Sequence, residues 1–552
     1  MVSPSRAILI AGALLLPLGA GLGALLLGMD ANWDFRNYHW YNGWAVLAGR
    51  LGRDMVVAQV PSWYAPTLDV PLYLLGTALS ARGAAFVLGA VAGLNGVLVM
   101  LIAFATLRGA PVVRALVALA LGAAGLGGAC AISELGTAFN DYVLMLGFLA
   151  ALLVLVRGAP RLVAAPLRPA LGCAALAGLL IGLTVGLKLT AAIFAVGLGC
   201  AALALPAGPV RRLLVAGTLT LAAVLAFALS AGPWMAYLWQ ATGNPLFPFF
   251  NHVFQSPLMP PVSFRDEHFV PYGQPLAWLL FPFWMLWDPY RTMEVPFFDL
   301  RLGLALMALP LGLLALAWRR WRGTVDMAPE AVLAAAPLQA RVLLVTGFAA
   351  YVAWVLFFCI YRYALALEML APLFVVVALC LLPGSSRLRL GLAVALVLAA
   401  VVTVEPGNWG RKPWTQKWVE VTVPPMPDAE HAMVLMAGYE PTSFVVPALP
   451  TAPRYIRIHS NFTGPNVNGL GQPGFGINDR MREVVEAHPG PFYVLFQLAK
   501  DTRPEEALAT FGLAFNRVAC VHMPTSVEDD PIVLCPVRRT PGWTGVTPDA
   551  GG

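Results

Sequence analysis

The chain has 552 residues, 59% of them hydrophobic and only 12% charged, with a mean hydropathy of +0.73. Soluble globular proteins carry roughly 25% charge, so this composition excludes a soluble single-core protein and indicates a polytopic membrane protein. The net charge of +6 comes from short basic clusters between apolar runs, which argues against a nucleic-acid partner and carries topology information instead.

A spanning helix needs roughly 20 apolar residues. The N-terminus opens like a signal peptide, with Arg6 before an apolar run, but the run is long enough to be retained as a first span over 7–28. Arg6 places the N-terminus in the cytosol and the following segment, 29–82, outside. Further spans are expected at 83–107, 115–132 and 142–156. They alternate between the clusters Arg108/Arg114 and Arg157/Arg161/Arg168 on the inside and a short loop from Ser133 to Asp141 on the outside. The next inside cluster is Arg211/Arg212, so 170–206 must hold an even number of crossings: two short helices turning near GLKLT, 186–190. A span at 213–231 leads to a long outer loop, 232–300, whose run AWLLFPFWMLW reads as lying in the interface. Spans at 301–318, 342–360, 364–382 and 390–404 follow. The expectation is about eleven crossings with the C-terminus outside.

From 405 the composition turns polar. PGNWGRKPWTQKW reads as a linker, and short β-like runs around the helical stretch NDRMREVVEAH predict a small α/β domain on the outer face. The division is therefore 1–404, a transmembrane domain with outer loops 29–82 and 232–300, and 405–552, linker and α/β domain. Cys520 and Cys535 lie in this last part; they form a disulfide if it faces an oxidising compartment, or are two free thiols. Asn461-Phe462-Thr463 matches a glycosylation sequon that is uninformative without a host.

On this topology the polar groups worth weighing gather on one side. They are Asp34, Tyr38, His39, Asp54 and Asp69 in the first outer segment, Glu134 and Asp141 in the second, the lone cations Lys188 and Arg362 at outer turns, and FRDEH, 264–268. Cations can hold a phosphate and a carboxylate can deprotonate a hydroxyl. Plain alternatives stand beside each. Asp34 would serve as a helix N-cap, Asp54 as a turn or salt-bridge residue, Asp69 as the start of a short helix, and Lys188 and Arg362 as cations snorkelling to headgroups. His39 would be structural. Glu368, inside the 364–382 span and six residues from Arg362, needs a partner from another helix.

The motif Asp34-Phe35-Arg36-Asn37-Tyr38 directly after the first span, continued by Ala45, Leu47 and Gly49, resembles the acidic D-E-x-x-Y motif of the GT-C superfamily of membrane glycosyltransferases, of which the aminoarabinose and protein O-mannosyl transferases are familiar members. GLLIGLTVGLKLT (178–190) is similar to the family's Gly-rich helix ending in a lysine, GNPLFPFFN (243–251) resembles a segment of predicted members, and WDFRNYHWYNGWAVLAGRLGRD (33–54) resembles an uncharacterised bacterial branch of the superfamily. The resemblance implies a polyprenyl-phosphate-linked sugar as donor, a glycan, lipid or protein as acceptor, the lipid bilayer as a partner, and the outer face of a bacterial inner membrane as the place. Asp34 takes the position of the catalytic base. Tyr38, His39, Asp54, Glu134, Asp141, Lys188 and Arg362 become substrate-binding candidates. Phe35 replaces the family's second acid, which removes one ligand for a divalent cation; no Cys/His spacing names a metal site. A transporter or flippase of a lipid-linked solute would use the same cations without a base, and a non-catalytic envelope scaffold would need neither.

Overall fold

The computed structural model describes residues 3–262, 264, 268–271, 280, 281, 283, 284, 286–322, 332–464, 476–499 and 502–541. It is 63% helical. Eight described helices are long and apolar enough to cross a membrane: Pro4–Leu26, Ala81–Thr106, Asp141–Ala164, Leu167–Leu187, Pro209–Thr242, Arg301–Arg322, Pro337–Phe357 and Tyr361–Leu381. Where the other three crossings were expected, the chain forms helices shorter than a span, Pro111–Leu126, Ala192–Leu203 and Ser386–Val402. Outward faces rich in exposed Leu, such as Leu14, Leu15, Leu22 and Leu26 on the first helix, call for lipid as their solvent.

The chain folds into two compact units that cut across the expected boundary at 404. The first is 1–27, 85–232 and 266–409; the second is 28–84, 233–265 and 410–552.

In the first unit small residues set the helix spacing, as expected where no hydrophobic effect drives helices together. A Cβ on Gly93 would lie 2.5 Å from Pro17 Cα. Along Leu167–Leu187, Gly178, Gly182 and Gly186 face Leu219, Ala223 and Ser230 at separations that admit no side chain. The Leu365–Leu381 helix is buried along its whole length. Two boundaries differ from expectation. The helix beginning at Pro209 runs 34 residues to Thr242 and does not stop at 231, because Pro233 is tolerated inside it. The expected 115–132 span is broken: Pro111–Leu126 ends at Gly127, and Ala129–Ser133 forms a separate turn. A Cβ on Gly128 would meet Glu368 Oε1 at 1.9 Å, so the chain turns there around a carboxylate from another helix.

In the second unit the sheet strands are Met433–Met436 (β1), Arg454–Arg457 (β2), Phe492–Gln497 (β3), Leu513–Phe515 (β4), Val521–His522 (β5) and Ile532–Arg539 (β6). Their order is β2-β1-β3-β6-β4, with β5 also on β6. β1 runs parallel to β2 and β3, whereas β6 is antiparallel to β3, β4 and β5. Gly476–Ala487 and Pro504–Ala509 supply Met481, Val485 and Leu508 to a core with Leu435, Ile456, Val494 and Cys535. Cys520 and Cys535 form a disulfide. The segment read as an outer loop contributes its own structure. Met55 joins the β2 edge, its N–H donating to Tyr455 O and its carbonyl accepting from Arg457 N–H, both at 3.0 Å. Asp69–Ala78 is a helix begun by Asp69. The residues Arg265, Asp266 and Glu267 of FRDEH, and Ala277, Trp278, Leu279, Pro282 and Met285 of AWLLFPFWMLW, lie outside the described residues.

Candidate functional site

In the first unit, Lys188 and Arg362 meet at one carboxylate. Lys188 is the extended residue between the Gly-rich helix and Ala192–Leu203, and its Nζ donates to Asp141 Oδ1 at 3.2 Å. Arg362 sits in the 3-10 turn Tyr361–Ala364, with Nη1 3.8 Å from Asp141 Oδ2 and Nη2 4.0 Å from Glu294 Oε1. Asp141 opens the helix Asp141–Ala164 and is buried. Rings surround the cations: Arg362 lies 4.3 Å from the Phe139 centroid and 5.7 Å from that of Trp409, and Lys188 lies 5.2 Å from that of Tyr363. Aromatic faces stabilise cations at such distances while leaving their N–H groups available. Lys188 keeps 29% side-chain exposure, so an anion can reach it.

Glu134 adjoins this group. It is buried, Cys130 Sγ donates to its Oε1 at 3.3 Å, and Oε2 has no hydrogen-bond partner among the described residues. Burial pushes its carboxyl well above the ordinary range, Asp141 pushes the same way, and Arg362 and Lys188 oppose.

Glu368, which needed a partner from elsewhere, finds one in backbone. Cys130 N–H and Ala131 N–H donate to its two oxygens at 3.1 and 3.0 Å. Beside it Asp299 accepts from Ala129 N–H at 2.7 Å and from Arg301 Nη1 at 2.7 Å, with both side chains fully buried. These charges hold the Ala129–Ser133 turn, and through it place Glu134.

The remaining candidates belong to the second unit. Asp34 is half-buried in the first turn of a helix that passes through a π turn, Phe35–His39, into Trp40–Leu47. The N-cap is Asn32, whose Oδ1 accepts Phe35 N–H at 2.7 Å; Asp34 makes no capping bond. Phe35, where the family's second acid would stand, stacks on Trp418 at 4.6 Å. Arg36 forms an ion pair with Glu528. Tyr38 and His39 are buried, and His39 Nδ1 lies 2.6 Å from Asp69 Oδ1. Asp54 is clasped by Arg50, whose Nε and Nη2 donate at 2.9 and 2.5 Å, by Tyr41 Oη at 2.9 Å and by Tyr455 N–H at 3.0 Å. This clasp joins the segment to the β2 strand. In GNPLFPFFN, Asn244 and Asn251 tie the turn and Phe247 packs on Trp63 at 4.9 Å.

Sequence reasoning missed Glu294, Phe139 and Trp409 around Arg362. Trp409 sat in the presumed linker, and nothing local marks it; the Tyr-Arg-Tyr triplet was the one available hint. Among the described residues no group of three or more His, Cys, Asp or Glu could hold a metal ion. No family model, no curated protein and no solved structure matches this chain.

Proposed function

We propose that this protein is a membrane glycosyltransferase that takes a sugar from a polyprenyl-phosphate-linked donor, acting at the outer face of a bacterial inner membrane with its N-terminus in the cytosol. The observation that carries the reading is the convergence of Lys188 and Arg362 on Asp141. Two cations prepositioned by one buried carboxylate, beside membrane-spanning helices, suit a lipid phosphate: the phosphate takes over donors that Asp141 holds in its absence. Glu134 and Asp141 would confine the cations to this geometry. The Cys520–Cys535 disulfide supports an oxidising surrounding for the second unit. Asp34 carries the role of base, which the resemblance assigns to it.

The test is sugar transfer by the purified, bilayer-reconstituted protein from labelled polyprenyl-phosphosugars. Lys188→Ala and Arg362→Ala each remove charge-assisted hydrogen bonds of about 1.5–3 kcal/mol, so the donor KM should rise roughly 10–100-fold. Asp34→Asn should abolish transfer while expression and membrane insertion persist. Full activity in Asp34→Asn removes the base assignment. Absence of both transfer and hydrolysis across the donor set removes the transferase reading and leaves transport or scaffolding.

A further inference from the structure

The second unit contains a cavity of about 310 Å³, at the lower end of the roughly 300–1,000 Å³ typical of ligand sites. Five large rings line it, Tyr41, Trp63, Tyr64, Trp234 and Tyr237. Trp234 and Tyr237 stack at 4.8 Å with 30° between their planes. Such faces receive the C–H side of a sugar ring, while nearby polar groups select its hydroxyls. Gln240, Ser62 and Asn42 are the neutral polar groups in the wall. Trp63 adds an indole N–H that has no hydrogen-bond partner among the described residues.

The charge of the wall is unbalanced. Asp54 is its carboxylate, and Arg50, Tyr41 and Tyr455 N–H already occupy both oxygens. Arg454 and Arg480 also line the cavity, and among the described residues neither forms a salt bridge. Arg454 is half-buried, its Nε is enclosed without a hydrogen-bond partner among the described residues, and Tyr41 and Asn42 lie in the same wall. Burial pushes the Arg454 guanidinium down from its ordinary value, with Asp54 opposing and Arg480, Arg53 and Arg50 adding to the effect. A carboxylate on the ligand would complete the fork geometry that arginine offers.

We infer that this cavity binds a carboxylate-bearing sugar, either a free uronic acid or the acidic unit of a longer glycan, with its ring against the aromatic wall and its carboxylate on Arg454 and Arg480. The site goes beyond the donor site of the first unit and does not depend on transfer. A non-transferring protein would leave this inference standing, and loss of sugar binding would leave the donor reading standing.

The test is binding of glucuronic acid, a glucuronate-terminated oligosaccharide and the neutral glucose-terminated counterpart to the full chain in nanodiscs, by saturation-transfer NMR and calorimetry. The acidic oligosaccharide should bind at least about tenfold more tightly than the neutral one. Binding of the free acid at equal strength identifies the single ring as the ligand; tighter binding of the oligosaccharide identifies the glycan. Arg480→Gln, at an exposed position that leaves folding intact, and Arg454→Gln should each remove about tenfold from the acidic ligand and nothing from the neutral one. Tyr237→Ala should weaken both. Equal affinity for acidic and neutral sugars overturns the inference. So does insensitivity to both arginine substitutions, absence of binding to every sugar, or displacement of the sugar by phosphatidylglycerol vesicles more readily than by glucuronate.

Discussion

Replacing Asp54 with alanine should destabilise the second unit by about 3–5 kcal/mol, the range for removing one partner of a buried ion pair. The Arg50 and Asp54 side chains are only 2% and 3% exposed. Alanine deletes the acceptors of four hydrogen bonds, from Arg50 Nε and Nη2, Tyr41 Oη and Tyr455 N–H. Arg50 would keep just the carbonyls of Thr451 and Pro453, at 2.7 and 2.6 Å, as a buried cation without a counter-charge. For a unit of roughly 150–250 residues each kcal/mol lowers Tm by about 2–4 °C, so the shift should be about 6–20 °C. Tryptophan fluorescence during thermal unfolding of the detergent-solubilised protein reads it. Asp54→Asn, which retains an acceptor for Tyr455 N–H, should lose less. The Arg50→Ala/Asp54→Ala double variant should lose less than the two single losses added together, with a coupling of about 0.5–3 kcal/mol. A loss below about 1 kcal/mol for Asp54→Ala would refute the clasp and return Asp54 to the solvated, ligand-seeking residues.

Glu134→Gln tests the buried carboxyl. Because its folded pKa lies above its unfolded one, the wild type holds its full stability below the unfolded value and loses it as pH rises through the folded value. The variant's stability relative to wild type should therefore climb with pH from the ordinary carboxylate range upward, and a pH-independent difference in thermal unfolding would count against it. Replacing Cys520 and Cys535 together with serine opens a bridge across 15 positions; about 3 kcal/mol of stability should go, and reductant should then leave the variant's unfolding midpoint unchanged. Gly128→Ala places a Cβ 1.9 Å from Glu368 Oε1. Glu368 must then give up the N–H groups of Cys130 and Ala131, at about 1.5–3 kcal/mol for each bond to a charged group, a loss that chemical denaturation of the purified protein would register.

Much of the helical framework was legible because apolar length and arginine clusters are local signals. The requirement of an even number of crossings between Arg168 and Arg211 led to the pair Leu167–Leu187 and Ala192–Leu203 with Lys188 between them. Boundaries failed where the deciding atoms are far away in sequence. Gly127 and Gly128 look like ordinary small residues in a span until Glu368 is seen to occupy the space beside them. Ser230-Ala231-Gly232-Pro233 looks like a stop, yet the helix continues because a proline inside a long apolar helix removes one bond and not the whole ladder. The cations Lys188 and Arg362 were visible as exceptions to the arginine pattern, whereas their meeting at Asp141 joins residues 47 and 221 positions away. Asp54 was visible only as an acid after Gly-Arg. Its partner Tyr455, and the carbonyls of Thr451 and Pro453 that hold Arg50 against it, lie about four hundred positions on, in a part of the chain read as separate from it.

The helix that begins just after Arg362 has no face open to lipid: every residue from Leu365 to Leu381 is enclosed. A rod packed on all sides cannot slide or roll without disturbing every neighbour at once. Arg362 at its head is consequently held by that packing, whereas Lys188, on a long side chain at a joint between two helices and 29% exposed, is the less confined of the two cations. On the donor site proposed above, adjustment to the phosphate would fall to the lysine's side chain.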